Sequence, residues 1–301
     1  MAQIEFFTQK ADYYFAVYRD LTVDDKFVEH SLCIEPGTPK YPNDFLRSMG
    51  PKLISNSNVL FDLINLADEF LYQTESKGKI FLKRPIDEFT DRLVQFCETY
   101  GLPWISGDKS DKNLIFKNKS LIWNESHYKG FRVIDFMEIL SFLSTQFHVW
   151  YALTIGDETT IKVLREFFIQ EDMPIEFDGT LNDSELLKST YVAAMMVPLL
   201  NLLNYRIAFI YDPKSKHNLL VPSTSNIFEV AFYQLAILIF ENPEDSGIKE
   251  CTCHRFFTIT HGNQKLCPEC QDHYGRNYMR TKRKNDKASN KIGHDVSKKY
   301  Q

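Results

Sequence analysis

The chain has 301 residues, of which 44% are apolar, 14% aromatic and 25% charged. That composition is globular and excludes wholesale disorder, and 12 Gly with 12 Pro exclude a fibrous repeat or a linker array. The formal charge of −5 hides an asymmetry: residues 276–301 carry nine Lys/Arg and two Asp, a local +7, which leaves −12 on the other 275 residues. A basic end on an acidic body points to a polyanion as its partner.

A length prior of about 150 residues per domain allows one large domain or two. Residues 1–50 are mixed and aromatic-rich, and they fit no single periodicity. From Ser57 to Tyr72 the apolar residues Leu60, Leu63, Ile64, Ala67 and Leu71 recur at three and four, which predicts an amphipathic helix with Ser57 or Asn58 as its cap. Pro85 suits the first turn of a second helix with the apolar face Ile86, Phe89, Leu93, Phe96 and Cys97, stopped by Gly101 and Pro103. The polar stretch 107–119 reads as a loop or small hairpin. Val133 to Leu153 reads as a core helix ended by Gly156, and Thr159 to Ile169 as a shorter one.

Asn182 or Asp183 can cap a further helix running to Val197, where Pro198 is expected to kink or end it. The period then changes. Residues 206–211 and 218–222, joined by Asp212-Pro-Lys-Ser, predict strand, turn and strand. A last apolar helix is expected from Ser225 or Asn226 to near Phe240. The turn-rich run Asn242-Pro-Glu-Asp-Ser-Gly247 marks a boundary. The expected architecture is mainly α. A helical body with one small β-hairpin spans 1–245, a zinc-ribbon-like module with a basic helix spans 246–289, and a disordered tail covers 290–301.

Four of the six cysteines fall between Cys251 and Cys270, whereas Cys33 and Cys97 stand alone. In a reducing compartment such clustering reads as metal binding rather than as a disulfide scaffold. Zinc takes four soft ligands in a tetrahedron, and the two-residue spacing of Cys267-Pro-Glu-Cys270 lets one tight turn aim two sulfurs at a single ion. The first pair is irregular. Cys251 and Cys253 are one residue apart, while Cys251 and His254 have the regular spacing. The expected ligands are Cys251, Cys253, Cys267 and Cys270, with His254 as the alternative fourth ligand and His261 as a weaker one. No His-Glu-x-x-His pattern lies nearby and cysteines can fill every position, so the expected zinc is structural.

Gln271 to Lys287 lacks Pro and predicts a helix. Arg276, Arg280, Arg283 and Lys287 fall at offsets 0, 4, 7 and 11, on one face, and Lys282 and Lys284 widen that stripe. Guanidinium groups so arranged pair with phosphates or enter a major groove, and tyrosines beside the stripe, Tyr274 and Tyr278, would stack on bases.

Cys253-His-Arg-Phe-Phe257, His261-Gly-Asn-Gln-Lys-Leu-Cys267 and a second Cys-x-x-Cys before an Arg-rich helix resemble the CGNR-type zinc fingers. The resemblance covers about 35 residues, and where that family has Cys-Gly-Asn-Arg this chain reads Tyr274-Gly-Arg-Asn277. It implies a helical N-terminal region ahead of a C-terminal zinc finger, and a role in bacterial transcription regulation.

No Walker loop, dinucleotide fingerprint or nucleophile elbow occurs, and the Arg255-x5-His261 pattern sits inside the expected metal loop. His148 and the three tryptophans read as core residues. The expected function is zinc-dependent nucleic-acid binding, with DNA ahead of RNA, and with sensing or homodimerisation by the body. The rivals are a protein-interaction module and a nucleic-acid-directed toxin or phage-defence effector. The N-terminus lacks a signal-peptide pattern, and the longest apolar run, Ile227–Phe240, contains Glu229 and Gln234. A cytoplasmic chain without a membrane partner is therefore expected.

Overall fold

The computed structural model describes residues 6–8, 13–23, 27–37, 52–54, 59–73, 80–101, 131–170, 183–197, 206–212, 217–223, 227–240, 247–259, 262–276, 279 and 282. The chain divides into two compact units, 1–243 and 244–301.

The first unit is helical with several small antiparallel strand pairs. Its elements in chain order are β1 (Phe6–Thr8), β2 (Tyr14–Val23), β3 (Phe27–Pro36), β4 (Lys52–Ile54), α1 (Val59–Phe70), β5 (Leu71–Gln73), β6 (Ile80–Leu82) and α2 (Ile86–Tyr100). There follow β7 (Phe131–Arg132), α3 (Val133–Ile155), α4 (Glu158–Gln170), α5 (Asp183–Tyr191), β8 (Arg206–Asp212), β9 (His217–Ser223) and α6 (Ile227–Phe240). β1 pairs with β4, β5 with β6 and β8 with β9, and β3 lies between β2 and β7. The strand-turn-strand expected near 206–222 is the β8–β9 pair, with Arg206 opposite Ser223 and Asp212 opposite His217.

The sequence predicts the β8–β9 hairpin and shows no single periodicity over residues 1–50. The structure adds the ten-residue hairpin β2–β3, in register from Tyr14 opposite Pro36 to Val23 opposite Phe27. Its strand signal is masked by charge. Ser31, Cys33 and Glu35 alternate along β3 and are all buried, so a carboxylate occupies a core-facing position. Glu35 is fully buried because Arg19 on β2 clamps it through two bonds, Nε to Oε1 at 2.8 Å and a terminal nitrogen to Oε2 at 2.7 Å. Arg132 clamps the buried Asp135 in the same way, at 2.8 and 2.7 Å, where β7 turns into α3.

Helix α3 is the centre of the unit and packs against α1, α4, α5, α6 and β3. Its ring Phe136 lies 6.0 Å from Phe96, 5.5 Å from Phe131 and 5.0 Å from Phe228, and Phe147 meets Phe61 edge-on at 6.1 Å. α6 is apolar but for Glu229 and Gln234, and its described side chains are buried or nearly so, as expected of a helix enclosed by others. Gly156, at φ 75, ends α3 in the left-handed conformation that lacks a Cβ penalty. α5 widens into a π turn at Val192–Met196, where the Val197 N–H reaches back to the Val192 carbonyl. The turn falls just before Pro198, whose missing N–H cannot continue an α-helical ladder.

The ends of α1 are satisfied by distant groups. The Leu60 N–H donates to Gln234 Oε1 of α6 at 2.9 Å. At the other end the Phe70 carbonyl accepts the Lys83 N–H at 2.7 Å and the Asp68 carbonyl accepts Lys83 Nζ at 2.6 Å. The caps expected at 57–58, 182 and 225–226 lie outside the described residues, as do the expected loop at 107–119 and the tail from 290. Asp183 opens α5. Replacing Gln234 by Leu leaves a buried N–H without this acceptor. It should lower stability by about 1–3 kcal/mol, read as a lower urea midpoint of the helical far-UV signal at unchanged slope.

Candidate metal centre

The second unit begins with the hairpin β10 (Ile248–Glu250) and β11 (Phe256–Thr258), in register from Ile248 opposite Thr258 to Glu250 opposite Phe256. Gly247 leads into it at φ 62, and a Cβ there would meet Ile259 Cγ1 at 2.9 Å, so the position requires glycine. Between the strands the chain makes a tight turn. The Cys251 N–H donates to the Arg255 carbonyl and the His254 N–H to the Cys251 carbonyl, both at 2.8 Å. His254 closes the turn at φ 65. This knuckle turns the Cys251 and Cys253 sulfurs to one side even though a single residue separates them.

The second pair is set by a helix start. Cys267 precedes the helix α7 (268–276, with 279 and 282 also helical), and the Gln271 N–H donates to its carbonyl at 2.9 Å. Pro268 fills the first helical position, where no N–H is needed. Cys267 and Cys270 are then one turn apart and face the same way. The Cys267 N–H donates to Cys251 Sγ at 3.3 Å, joining the two halves. Arg255 pairs with Glu269 in the first turn of α7, a second tie between hairpin and helix.

The four sulfurs of Cys251, Cys253, Cys267 and Cys270 all lie within 4.8 Å of one another. Cys253 and Cys267 are 3.7 Å apart at Sγ, and a tetrahedral ion with bonds of about 2.3 Å to sulfur places its ligands roughly 3.8 Å apart. No cysteine is disulfide-bonded among the described residues. Charge makes the same case. Burial alone would push the Cys251 thiol up, but amide hydrogen bonds from Cys253 and Cys267 bring it down to about 6. The neighbouring sulfurs of Cys253, Cys267 and Cys251 push Cys270 up to about 12. Sulfurs this crowded cannot all ionise without a cation among them. The donor set and spacing therefore fit a four-thiolate metal ion.

His254, the alternative fourth ligand, points elsewhere. Its ring is 87% exposed, and Nδ1 lies 2.9 Å from Glu250 Oε1. His261 lies outside the described residues. The buried cluster of the unit consists of Cys251, Phe257 and Cys267, with Ile259, Leu266 and Cys270 packed against it. Three of the six residues that build this core are thus candidate ligands. An ion held there would replace apolar mass that the unit lacks, which is the structural role.

Of the expected nucleic-acid contacts, Arg276 and Lys282 are described, helical and exposed. The Arg276 Nε donates to the Asp272 carbonyl at 3.3 Å. Tyr278, Arg280, Arg283, Lys284 and Lys287 lie outside the described residues. One expectation needs correction. Tyr274 is exposed on α7, but at about 100° of rotation per residue it stands roughly 200° from Arg276, so these two side chains do not lie side by side. The sequence reading also missed the Arg255–Glu269 tie, whose only hint was a Glu inside Cys-Pro-Glu-Cys.

In the first unit, His148 is half-exposed rather than a core residue, and its Nε2 lies 2.7 Å from Asp68 Oδ1. Ser144, one turn earlier, donates to the same oxygen at 3.5 Å. The carboxylate sits between serine and histidine, so no serine–histidine relay is formed. No known protein family, curated protein or solved structure matches the chain.

One metal ion per chain is expected by elemental analysis and by native mass. Cys267→Ser should release it and unfold the unit from residue 244 while the helical far-UV signal of 1–243 persists. A metal-free preparation that keeps the β10–β11 amides protected from hydrogen exchange would refute the structural role.

Proposed function

We propose that this chain is a zinc-dependent nucleic-acid-binding protein, a transcription regulator that meets DNA through the basic helix after its metal site. The ion is zinc, the module is zinc-ribbon-like, and its cysteine motifs resemble those of the CGNR-type fingers. The observation that carries the reading is the position of α7. The cysteine pair sits at its very start, so an ion held there would fix the helix axis, while residues 271–276, 279 and 282 are exposed along its length. A rigid anchor of this kind lets arginines reach phosphates without first ordering a floppy tail. The acidic remainder of the chain repels a polyanion and so directs it to this end.

Dimerisation is the role proposed for the first unit. What supports it is α4, which buries Phe168 but leaves Val163 at 59%, Phe167 at 43% and Ile169 at 61% exposure. Free thiols in a cluster suit a reducing, cytoplasmic setting. Among the described residues no helix is long and apolar enough to cross a membrane.

Duplex binding by the full chain, followed against salt, tests the reading. Each phosphate contact contributes about −0.9 to the slope of log affinity against log salt. The triple variant Arg276→Ala, Arg280→Ala, Arg283→Ala should flatten that slope by roughly 2–3 units. Unchanged affinity in the triple variant would move the basic helix to the class of solvated tails and favour a protein partner for the module.

A further inference from the structure

The four cysteines of the cluster are not equivalent. Cys251 and Cys267 are 3% exposed and Cys270 is half-buried, whereas Cys253 is exposed at the tip of the knuckle between Thr252 and His254, themselves exposed. Although Cys253 is exposed as a residue, its sulfur has a buried partner at short range, Cys267 Sγ at 3.7 Å. Reaction with an oxidant follows access as well as thiolate character. Closure of this pair asks for movement of an exposed turn of three residues, not of the strands or of α7.

We propose that Cys253 is a peroxide-oxidation site, and that its closure onto Cys267 releases the metal and unfolds the second unit. The proposal rests on the zinc part of the function above and is independent of what the unit binds. The chemistry is balanced by one hydroperoxide. The Cys253 thiolate attacks a peroxide oxygen. An S–O bond forms, the O–O bond breaks, and the departing hydroxide takes a proton to leave as water. The Cys267 thiolate then attacks the sulfenic sulfur; the S–S bond forms, the S–O bond breaks, and a second protonated hydroxide leaves as water. Two thiolates are oxidised by two electrons, hydrogen peroxide is reduced to two waters, and the metal keeps its charge.

The consequence follows from the packing. Cys251, Phe257 and Cys267 are the buried cluster of the unit. A site left with two thiolates holds zinc far less well than one with four, and loss of the ion removes what holds these residues together. The remaining cysteines provide an internal control. Cys97 is fully buried, and its thiol is pushed well up by that burial. Cys33 is also fully buried, and burial together with the Glu35 carboxylate pushes it up to about 12. Both are inert by position.

The test uses the full chain with its zinc content measured first. Hydrogen peroxide is titrated in, freed zinc is read with a metallochromic indicator, and disulfides are mapped by peptide mass. The expected result is one zinc freed and two thiols lost per peroxide consumed, a Cys253–Cys267 linkage, and restoration by a dithiol with added zinc. Cys253→His has room for an imidazole at an exposed position and keeps four ligands, so zinc release by peroxide should be lost. Cys270→His should still release zinc. Retention of zinc under peroxide, a disulfide that excludes Cys253, or release that survives Cys253→His but not Cys270→His would overturn the proposal. If Cys253→His cannot hold zinc, the wild-type disulfide map decides alone. A preparation with no zinc before oxidation overturns the zinc reading itself, and is told apart from failure of this proposal by that first measurement.

Discussion

Among the described residues, the second unit gathers its core around sulfur as much as around hydrocarbon. Its buried cluster is one phenylalanine ring and two cysteines, with a third cysteine and two aliphatic side chains against them. A core that small cannot offset the chain entropy of a segment this long, which costs about 1–2 kcal/mol per ordered residue. Everything else in the unit is arranged around that constraint. The hairpin supplies a knuckle, the helix starts on a cysteine with proline behind it, and an amide-to-sulfur bond joins the halves. Arg255, half-buried, and Glu269, exposed, contribute orientation more than energy.

The first unit solves its stability problem the opposite way. Here aromatic rings fill the space around α3, and the buried charges are the exception that needs explaining. Three carboxylates are buried among the described residues, Glu35, Asp135 and Glu229, and the first two each meet an arginine at two points. The Coulombic attraction and hydrogen bonds of such a pair offset the cost of removing it from water, but seldom exceed it. What the pairs give is register. One fixes β2 against β3, and the other fixes the corner from which α3 departs.

Helices were legible where apolar spacing and terminal residues agreed. Pro85 and Gly101 bracket α2, and Gly156 closes α3, because a fixed φ and a missing Cβ are properties of single residues. The β2–β3 hairpin was not legible. Its alternation is interrupted by Glu35, which reads as a solvent position until Arg19, sixteen residues away in sequence, is placed beside it. His148 failed for a related reason: its apolar neighbours in sequence said core, while the partner that sets its environment, Asp68, lies eighty residues upstream.

The sequence alone determined the donor chemistry of the candidate metal site. Four thiols within twenty residues, two of them at knuckle spacing, leave few arrangements open, since local turns bring such residues together whatever the rest of the chain does. It also determined that the charge of the chain is split, because charge is additive and needs no fold. Only the tertiary structure decided which four donor atoms gather. Cys251 and His254 have the regular spacing, but the knuckle closes with His254 at positive φ and its ring held outward on Glu250, and Cys253 takes the place in the cluster. Spacing counts residues, whereas coordination depends on where each side chain points, and that direction was set by backbone hydrogen bonds that no motif records.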